Sequence, residues 1–172
     1  RTSKPYYRSG YVFVYRKSSN YNIKDWDSED LRKGIIGIVG QSPPTIPLND
    51  HNLMANARPY RLQRDLNLPP SFIVDDLIAG KIDIAIVWGP IGGYFAKQSK
   101  EPLVVVPIPE YQDKNIKGKE EWNISVAVRK KDKERMAMIQ GALDRNQDKI
   151  LKILDEYGIP HKPVVLGEKV GN

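Results

Sequence analysis

Short apolar runs separated by polar segments mark the predicted strands of this chain. Residues 11–15 are β-branched or aromatic and are bounded by Gly10 and a polar turn, which is typical of a strand. Similar apolar runs predict strands at 35–39, 82–88 and 103–106, and a short one at 60–63. Alternating apolar and polar residues predict a further strand at 124–128, with one buried face.

Apolar residues at helical spacing predict helices between and after these strands. In the clearest helix, at 70–80, Pro70 suits the first turn and Gly80 supplies the stop. Further helices are expected at 48–57, at 91–98 and in two successive segments with helical spacing at 136–143 and 150–157, the second closed by Gly158. Helices alternating with strands over short connections predict an α/β fold with a parallel or mixed sheet, and we expect a mixed sheet flanked by helices.

Composition narrows the classes of function. The chain has 172 residues, of which 40% are hydrophobic and 28% charged, as in a globular protein. The longest apolar run, 84–88, is far shorter than the roughly 20 residues of a membrane helix, so no membrane insertion is expected. The absence of cysteine excludes disulfides and thiolate metal sites. The net charge is +6, but the basic residues are mixed with acids, which argues against nucleic-acid binding and suits an acidic protein partner.

Sequence motifs for catalysis, metals and cofactors are lacking. His51 and His161 are far apart and show no ligand spacing. The acidic stretch 25–30 lacks the glycine and the glutamate of a calcium loop, and we expect Asp27 or Ser28 to cap a short helix instead. Phosphate-binding and nucleophile-elbow motifs are missing as well. We therefore expect no metal, no cofactor and no enzymatic activity, and we expect Asp83 to be a structural residue at a strand edge.

Two predicted strands end in unusual residues. Residues 41–43 follow the strand at 35–39, and residues 88–90 end the strand at 82–88. In open α/β sheets, ligands bind beyond the carboxyl ends of the strands. We therefore predict an apolar, stacking cleft wall, or an ordinary core residue and turn at 88–90 as the alternative. The candidate wall residues are Gln41, Ser42, Trp88, Gly89, Pro90 and Tyr94.

Several segments of the chain resemble those of a known protein family. Residues 5–14 resemble the segment by which class II periplasmic binding proteins cross from the first lobe to the second, and 30–38 and 73–85 resemble the elements that follow. The motifs Pro-Tyr-Tyr-Arg-Ser at 5–9 and Val-Trp-Gly-Pro-Ile-Gly-Gly-Tyr-Phe at 87–95 narrow the resemblance. Together they resemble the binding-protein-like J component found with quinoprotein methanol dehydrogenases. The resemblance spans residues 5–160.

This resemblance implies a noncatalytic periplasmic protein that assists the activation or maturation of its partner, a quinoprotein methanol dehydrogenase. It places Tyr6, Tyr7 and Arg8 at the crossing and the cleft, with packing within a strand as the alternative. Amino-acid-binding relatives hold their ligand with an arginine and an aspartate where this chain has Gln41 and Trp88. The alternative function is a transporter's solute-binding protein for a small uncharged or aromatic ligand, and a sensory or enzymatic module ranks third.

The resemblance also predicts how the chain is divided. Residues 9–106 are expected to form a complete second lobe. Residues 1–8 and 107–172 are expected to form the crossing segment and the C-terminal remnant of a first lobe whose N-terminal half is missing. We expect a cleaved or engineered fragment, or a remnant that packs against another chain, including self-association through the incomplete first lobe.

Overall fold

A computed structural model describes residues 1–62, 64–65, 67–110 and 121–166. The strands are β1 (Tyr7–Arg16), β2 (Ile36–Val39), β3 (Ala57–Tyr60), β4 (Ile84–Trp88), β5 (Leu103–Pro107) and β6 (Glu121–Ile124). The helices are α1 (Thr45–Asp50), α2 (Phe72–Ile78), α3 (Gly89–Gln98), α4 (Lys133–Arg145) and α5 (Gln147–Glu156). Among the described residues, no helix combines the length and apolar character needed to cross a membrane.

Five strands form a mixed sheet in the order β3-β2-β4-β1-β5, called here the main sheet. Strand β2 runs parallel to β3 and β4, whereas β1 runs antiparallel to β4 and β5. Phe13, in the middle of β1, lies opposite Ile86 of β4 and Val106 of β5. The predicted α/β fold with a mixed sheet flanked by helices is confirmed.

Both faces of the main sheet are buried under other parts of the chain. On one face, Phe13, Ile36 and Ile84 pack against Trp26 and neighbouring loop residues. On the other face, an apolar cluster is formed by Val12, Val14, Ala85 and Val87 of the sheet with Ile73, Leu77 and Ile82. Successive strand residues point to opposite faces, so a strand covered on both sides needs an unbroken apolar run. This requirement explains the continuous apolar sequence of residues 11–15 in β1 and of β4.

Strand β1 continues beyond the main sheet. Its C-terminal part pairs with β4 and β5, and its N-terminal part, from Tyr7 to Gly10, pairs with β6. Helices α4 and α5 follow β6 along the chain. The end of α5 lies against α3. Gly93 of α3 is so close to Gly158, which follows α5, that a side chain at Gly93 would meet the carbonyl oxygen of Gly158. Strand β1 therefore joins the main sheet to the C-terminal part of the chain.

Several predicted elements differ from those observed. The clearest predicted helix, at 70–80, is the shorter α2, which begins at Phe72, so Pro70 lies before its first turn. The helix predicted at 48–57 is wrong: α1 begins at Thr45 and ends at Asp50, and the chain then turns through Asn52, whose φ of 56° cannot continue a helix. The strand predicted at 60–63 is β3, which starts at Ala57 because Ala57 pairs with Ile36 in the parallel register. Gln63, which closed the predicted strand, lies outside the described residues.

The strand predicted at 124–128 is also displaced. The strand β6 spans Glu121–Ile124, where it pairs with β1. Beyond it, the carbonyl oxygen of Val126 accepts a hydrogen bond of 2.8 Å from the backbone of Ser3. The N-terminal segment thus takes the position of a partner strand. Most of the polar loop expected before this strand, residues 111–120, lies outside the described residues.

Two polar residues have structural contacts. The Asp83 carboxylate accepts a hydrogen bond of 2.9 Å from the backbone of Ile35 and pairs with Arg16 at 3.0 Å. Ser28 precedes a 3-10 turn at Glu29–Arg32, but its hydroxyl accepts hydrogen bonds from the backbone of Lys24 and Asp25 and makes no cap bond to that turn. Asp83 therefore joins β4 to the start of β2, while Ser28 stabilises the loop before the turn.

Candidate functional site

A cleft of about 930 Å³ lies beyond the carboxyl ends of β2, β3 and β4. These three strands run parallel, so their carboxyl ends meet at one edge of the main sheet. Its volume falls within the range of small-molecule sites, about 300–1,000 Å³. Of the sequence-predicted wall residues, the cleft is lined by Gln41, Ser42 and Trp88.

An aromatic cluster forms one wall of this cleft. Tyr11 lies opposite Trp88 in the register of β1 and β4, and their ring centroids are 5.5 Å apart in an edge-to-face arrangement. Trp122 of β6 contacts both rings, at 5.6 Å from Trp88 and 6.1 Å from Tyr11. We refer to Tyr11, Trp88 and Trp122 as the ring cluster. Such contacts are favourable in themselves, and they hold the Trp88 indole at the edge of the cleft.

The loop after β2 is held by its own hydrogen bonds. The Ser42 hydroxyl donates to the carbonyl oxygen of Val39 at 2.6 Å, and the Thr45 hydroxyl donates to the carbonyl oxygen of Ser42 at 2.6 Å. Gln41 has a φ of 62° and an exposed side chain. The loop is therefore structured by local contacts, and the amide of Gln41 is presented to the cleft and to solvent.

The opposite wall comes from β3 and α2. The rings of Tyr60 and Phe72 are 5.9 Å apart, and the Tyr60 hydroxyl donates a hydrogen bond of 2.7 Å to Asp76. Burial, followed by this bond to a carboxylate, raises the pKa of Tyr60 to about 12. Hydrogen bonds from Lys81 and then Tyr60 lower the pKa of the Asp76 carboxyl. Tyr60 thus stays neutral and Asp76 ionised at physiological pH.

Two arginines after β3 also line the cleft, and the sequence analysis missed them. Arg61 and Arg64 have exposed side chains. Neither guanidinium forms an ion pair with another residue that the structure describes. The only sequence signal was an arginine every third residue at 58, 61 and 64, in a segment we read as strand and loop. Their position depends on how this segment leaves the sheet.

The remaining wall candidates lie beside or away from the cleft. Gly89 starts α3, where a side chain would collide with the carbonyl oxygen of Gly10, and Pro90 lies in the first turn of the helix. Tyr94 lies one turn further along α3, and its ring stacks on Tyr157 at 5.9 Å. The structure therefore does not bring Tyr94 to the cleft, because α3 runs away from the strand ends.

Arg8 and its tyrosine neighbours lie where β1 meets β6, and they are not among the residues that line the cleft. Arg8 is 3% exposed and donates to the Glu121 carboxylate at 3.3 Å, a carboxylate that also pairs with Lys162. The rings of Tyr6 and Tyr7 meet edge to face at 5.1 Å, and burial, followed by the nearby Tyr6, raises the pKa of Tyr7. These residues join β1 to β6.

The histidines take part in structural contacts. The His51 ring hydrogen-bonds the carbonyl oxygen of Pro47 at 2.7 Å and stacks on Trp26 at 5.9 Å, and His161 lies 2.7 Å from Asp155. Within the described ranges, no three His, Asp or Glu side chains form a group that could hold a metal ion. The cleft offers surfaces for stacking and charge pairing, which suit binding.

Sequence comparison identifies two curated relatives. The chain is 29% identical over 175 residues to the protein MoxJ of Methylorubrum extorquens and 29% identical over 175 residues to the protein MoxJ of Paracoccus denitrificans. These alignments cover 95% and 94% of this chain. The chain spans 58% and 63% of the length of the two relatives. No family model matches the chain.

Structural comparison leads to the same group of proteins. The periplasmic binding protein XoxJ from Methylobacterium extorquens AM1 matches with a TM-score of 0.81 and 29% identity, over 95% of this chain and 74% of that protein. MxaJ from Methylophaga aminisulfidivorans matches with a TM-score of 0.78 and 29% identity, over 94% of this chain and 70% of that protein. An ancestral cationic amino acid solute binding protein, 17% identical with a TM-score of 0.65 over 93% of this chain and 62% of that protein, shares the fold alone.

Proposed function

Since this chain is homologous to the MoxJ proteins and has the fold of the periplasmic binding proteins XoxJ and MxaJ, we propose that it is a noncatalytic periplasmic accessory protein of methanol oxidation. Its role is to assist the activation or maturation of a methanol dehydrogenase that depends on pyrroloquinoline quinone. The observation that carries this proposal is the 29% identity to MoxJ over 95% of the chain.

The cleft is the binding site in this proposal. Its wall presents Trp88 and Tyr11, and its lining offers no carboxylate among the described residues. An α-amino acid would leave its ammonium group without a charged partner there, at a cost of several kcal/mol if that group is buried. The site therefore differs in chemistry from that of an amino-acid receptor, which supports an accessory role over amino-acid import.

The proposal also assigns the parts of the chain. Residues 9–106 are the second lobe, with the cleft at one edge of its sheet, and the rest forms the crossing segment and part of the first lobe. Tyr6, Tyr7 and Arg8 hold the crossing through β1 and β6. Gln41, Ser42 and Trp88 are the binding wall, supported by the start of α3 at Gly89 and Pro90.

Association with the dehydrogenase is the direct test. The purified protein is titrated, by biolayer interferometry, against the quinoprotein methanol dehydrogenase in its cofactor-free and cofactor-loaded forms. We expect saturable binding to at least one form. Binding to neither form would contradict the accessory role.

A cellular experiment tests whether the cleft serves that role. The gene is replaced by variants in a methanol-grown host, and dehydrogenase activity is measured per mole of quinoprotein. Trp88→Ser and Gln41→Arg, a surface change that spares the core, should both lower this specific activity. Met138→Ser is the matched control, because Met138 is 73% exposed on α4. Equal activity in all variants would remove the cleft from the proposed role.

The alternative is a solute-binding protein that delivers an uncharged or aromatic ligand to a transporter. The observation that favours it is the cleft of about 930 Å³, which can hold a small molecule. A thermal-shift panel of metabolites tests it. Reproducible stabilisation by one ligand, together with failure to bind the dehydrogenase, would establish the alternative.

A further inference from the structure

The cleft combines an aromatic surface with two cations. Trp88 and Tyr11 form one wall, and Tyr60 and Phe72 form the opposite one. The ring of Trp88 is half-buried, so part of its surface faces the cleft. Flat aromatic ligands gain from stacking on such rings in addition to the area that they bury. The aromatic rings that line the cleft therefore favour a planar ring system.

The charges at the cleft all have one sign. Arg61 and Arg64 line it, and among the described lining residues there is no aspartate or glutamate. The carboxylate of Asp76, behind Tyr60, accepts hydrogen bonds from Tyr60 and Lys81 at 2.7 and 2.8 Å. Its charge is thus compensated by neighbours on its own side of the wall. The potential inside the cleft is positive and attracts anions.

We infer that the cleft binds a planar aromatic ligand with at least two carboxylate groups, its ring stacked on Trp88 and its carboxylates paired with Arg61 and Arg64. This inference rests on the cleft being the binding site of the proposed function, and it names the ligand class of that site. Guanidinium groups pair with carboxylates through two parallel hydrogen bonds, which makes arginine well suited to such recognition. A neutral ring would stack but leave both cations unused.

The charge requirement differs from what the sequence indicated. Gln41 and Trp88 replace the charged residues of amino-acid receptors, which indicated a neutral pocket. The structure places cations at a different position, on the segment that follows β3. The ligand's anionic groups should therefore lie toward β3 and α2, on the side opposite Trp88.

Calorimetric titration with matched probes separates stacking from charge pairing. The probe is naphthalene-2,3-dicarboxylate, whose two carboxylates lie on one edge of the ring; its uncharged analogue is the corresponding diamide, and its non-aromatic analogue is adipate. We expect the dicarboxylate to bind on the order of tenfold or more tightly than either analogue, because each lacks one of the two interactions. Raising the salt concentration should weaken the binding of the dicarboxylate and leave the affinity for the diamide unchanged, since salt screens exposed charges.

Three arginine variants locate the interaction. Arg61→Gln and Arg64→Gln should each weaken binding of the dicarboxylate on the order of tenfold and leave the diamide unaffected. Arg58→Gln is the matched control, since it removes the same charge from the same segment at a side chain that donates to the carbonyl oxygen of Lys81, outside the cleft lining. All three side chains are exposed, so folding should be preserved.

Each other outcome would overturn the inference. The ligand class is wrong if the diamide binds as tightly as the dicarboxylate, if adipate matches it, or if no saturation is reached at millimolar probe. The site is wrong if Arg58→Gln weakens binding as much as the other two variants. Dehydrogenase association is measured without any probe, so a failed titration with intact association removes only this inference. Successful titration without association would remove only the accessory role.

Discussion

The indole of Trp88 lies 5.6 Å from the indole of Trp122, with the ring planes tilted by 59°, although the two residues belong to differently paired strands. Trp88 ends β4 in the main sheet, and Trp122 lies on β6, opposite Ser9 of β1. Tyr11, further along β1, contacts both. The ring cluster therefore connects the wall of the cleft to β1 and β6. A substitution in one ring of the cluster should alter the position of the other rings.

Trp122→Ala should lower the free energy of unfolding by about 2 kcal/mol, less than a fully buried aromatic residue would cost. It should also weaken binding of the naphthalene probe, because Trp88 loses a neighbour that holds its ring. Urea unfolding followed by circular dichroism gives the first value, and calorimetry gives the second. Trp122→Phe keeps an aromatic contact and should recover most of both. Unchanged probe affinity in Trp122→Ala would show that the cluster has no part in the cleft.

Glu121→Gln should be strongly destabilising. Glu121 is 5% exposed and pairs with Arg8, which is 3% exposed, and with Lys162. The substitution removes a buried charged partner of both Arg8 and Lys162, and breaking a buried ion pair costs about 3 kcal/mol or more. Arg129→Gln is the control, since its pair with Asp132 has a 71% exposed arginine and should contribute less than about 1 kcal/mol. Equal midpoints of urea unfolding for the two variants would contradict this prediction.

Gly93→Ala should separate α3 from the end of α5. A methyl group there would collide with the backbone of Gly158, which cannot move without shifting the chain. Overpacking of this kind costs about 1–3 kcal/mol. Gly141→Ala, in the middle of α4, meets only the flexible end of Arg145 at 3.1 Å and should instead stabilise by about 0.5–1 kcal/mol through helix propensity. Thermal unfolding of both variants should show shifts of opposite sign.

Tyr60 should make stability fall at alkaline pH. Its pKa is raised to about 12, because burial and then the Asp76 carboxylate favour the neutral hydroxyl. The folded protein holds this proton more tightly than the unfolded chain, so the stabilisation is complete below pH of about 10 and is lost as pH rises toward 12. Tyr60→Phe should therefore lose less stability than the wild type as the pH rises from about 10 to about 12.

Urea unfolding of both proteins at several pH values measures this difference, since the two proteins differ only at residue 60. Parallel pH profiles would contradict the role of Tyr60. The pKa of Asp76 is lowered, so its contribution has the opposite sense: it is present above the ordinary carboxyl pKa of 3.8 and is lost as pH falls below that value.

The strands and helices with strong apolar patterns could be predicted because their signal is local. Burial on both sides requires the unbroken apolar runs of residues 11–15 in β1 and of β4, and burial on one side requires the amphipathic pattern of α2. Each of these patterns is visible within the segment itself. Strands whose bounds depend on pairing with another strand were predicted at the wrong residues. The start of β3 depends on its register with β2, and the bounds of β6 depend on its pairing with β1, which the N-terminal segment continues at Ser3.

The cleft follows the same division. Gln41, Ser42 and Trp88 were identified because they end parallel strands, and the ends of parallel strands meet whatever the loops do. The positions of Arg61, Arg64 and Trp122 depend on how distant segments pack, and Tyr94 is directed to Tyr157 by the docking of α5 on α3. Burial determines the spacing of apolar residues within each segment, so it can be predicted from the sequence. The convergence of polar and aromatic side chains depends on contacts between distant segments, which only the tertiary structure determines.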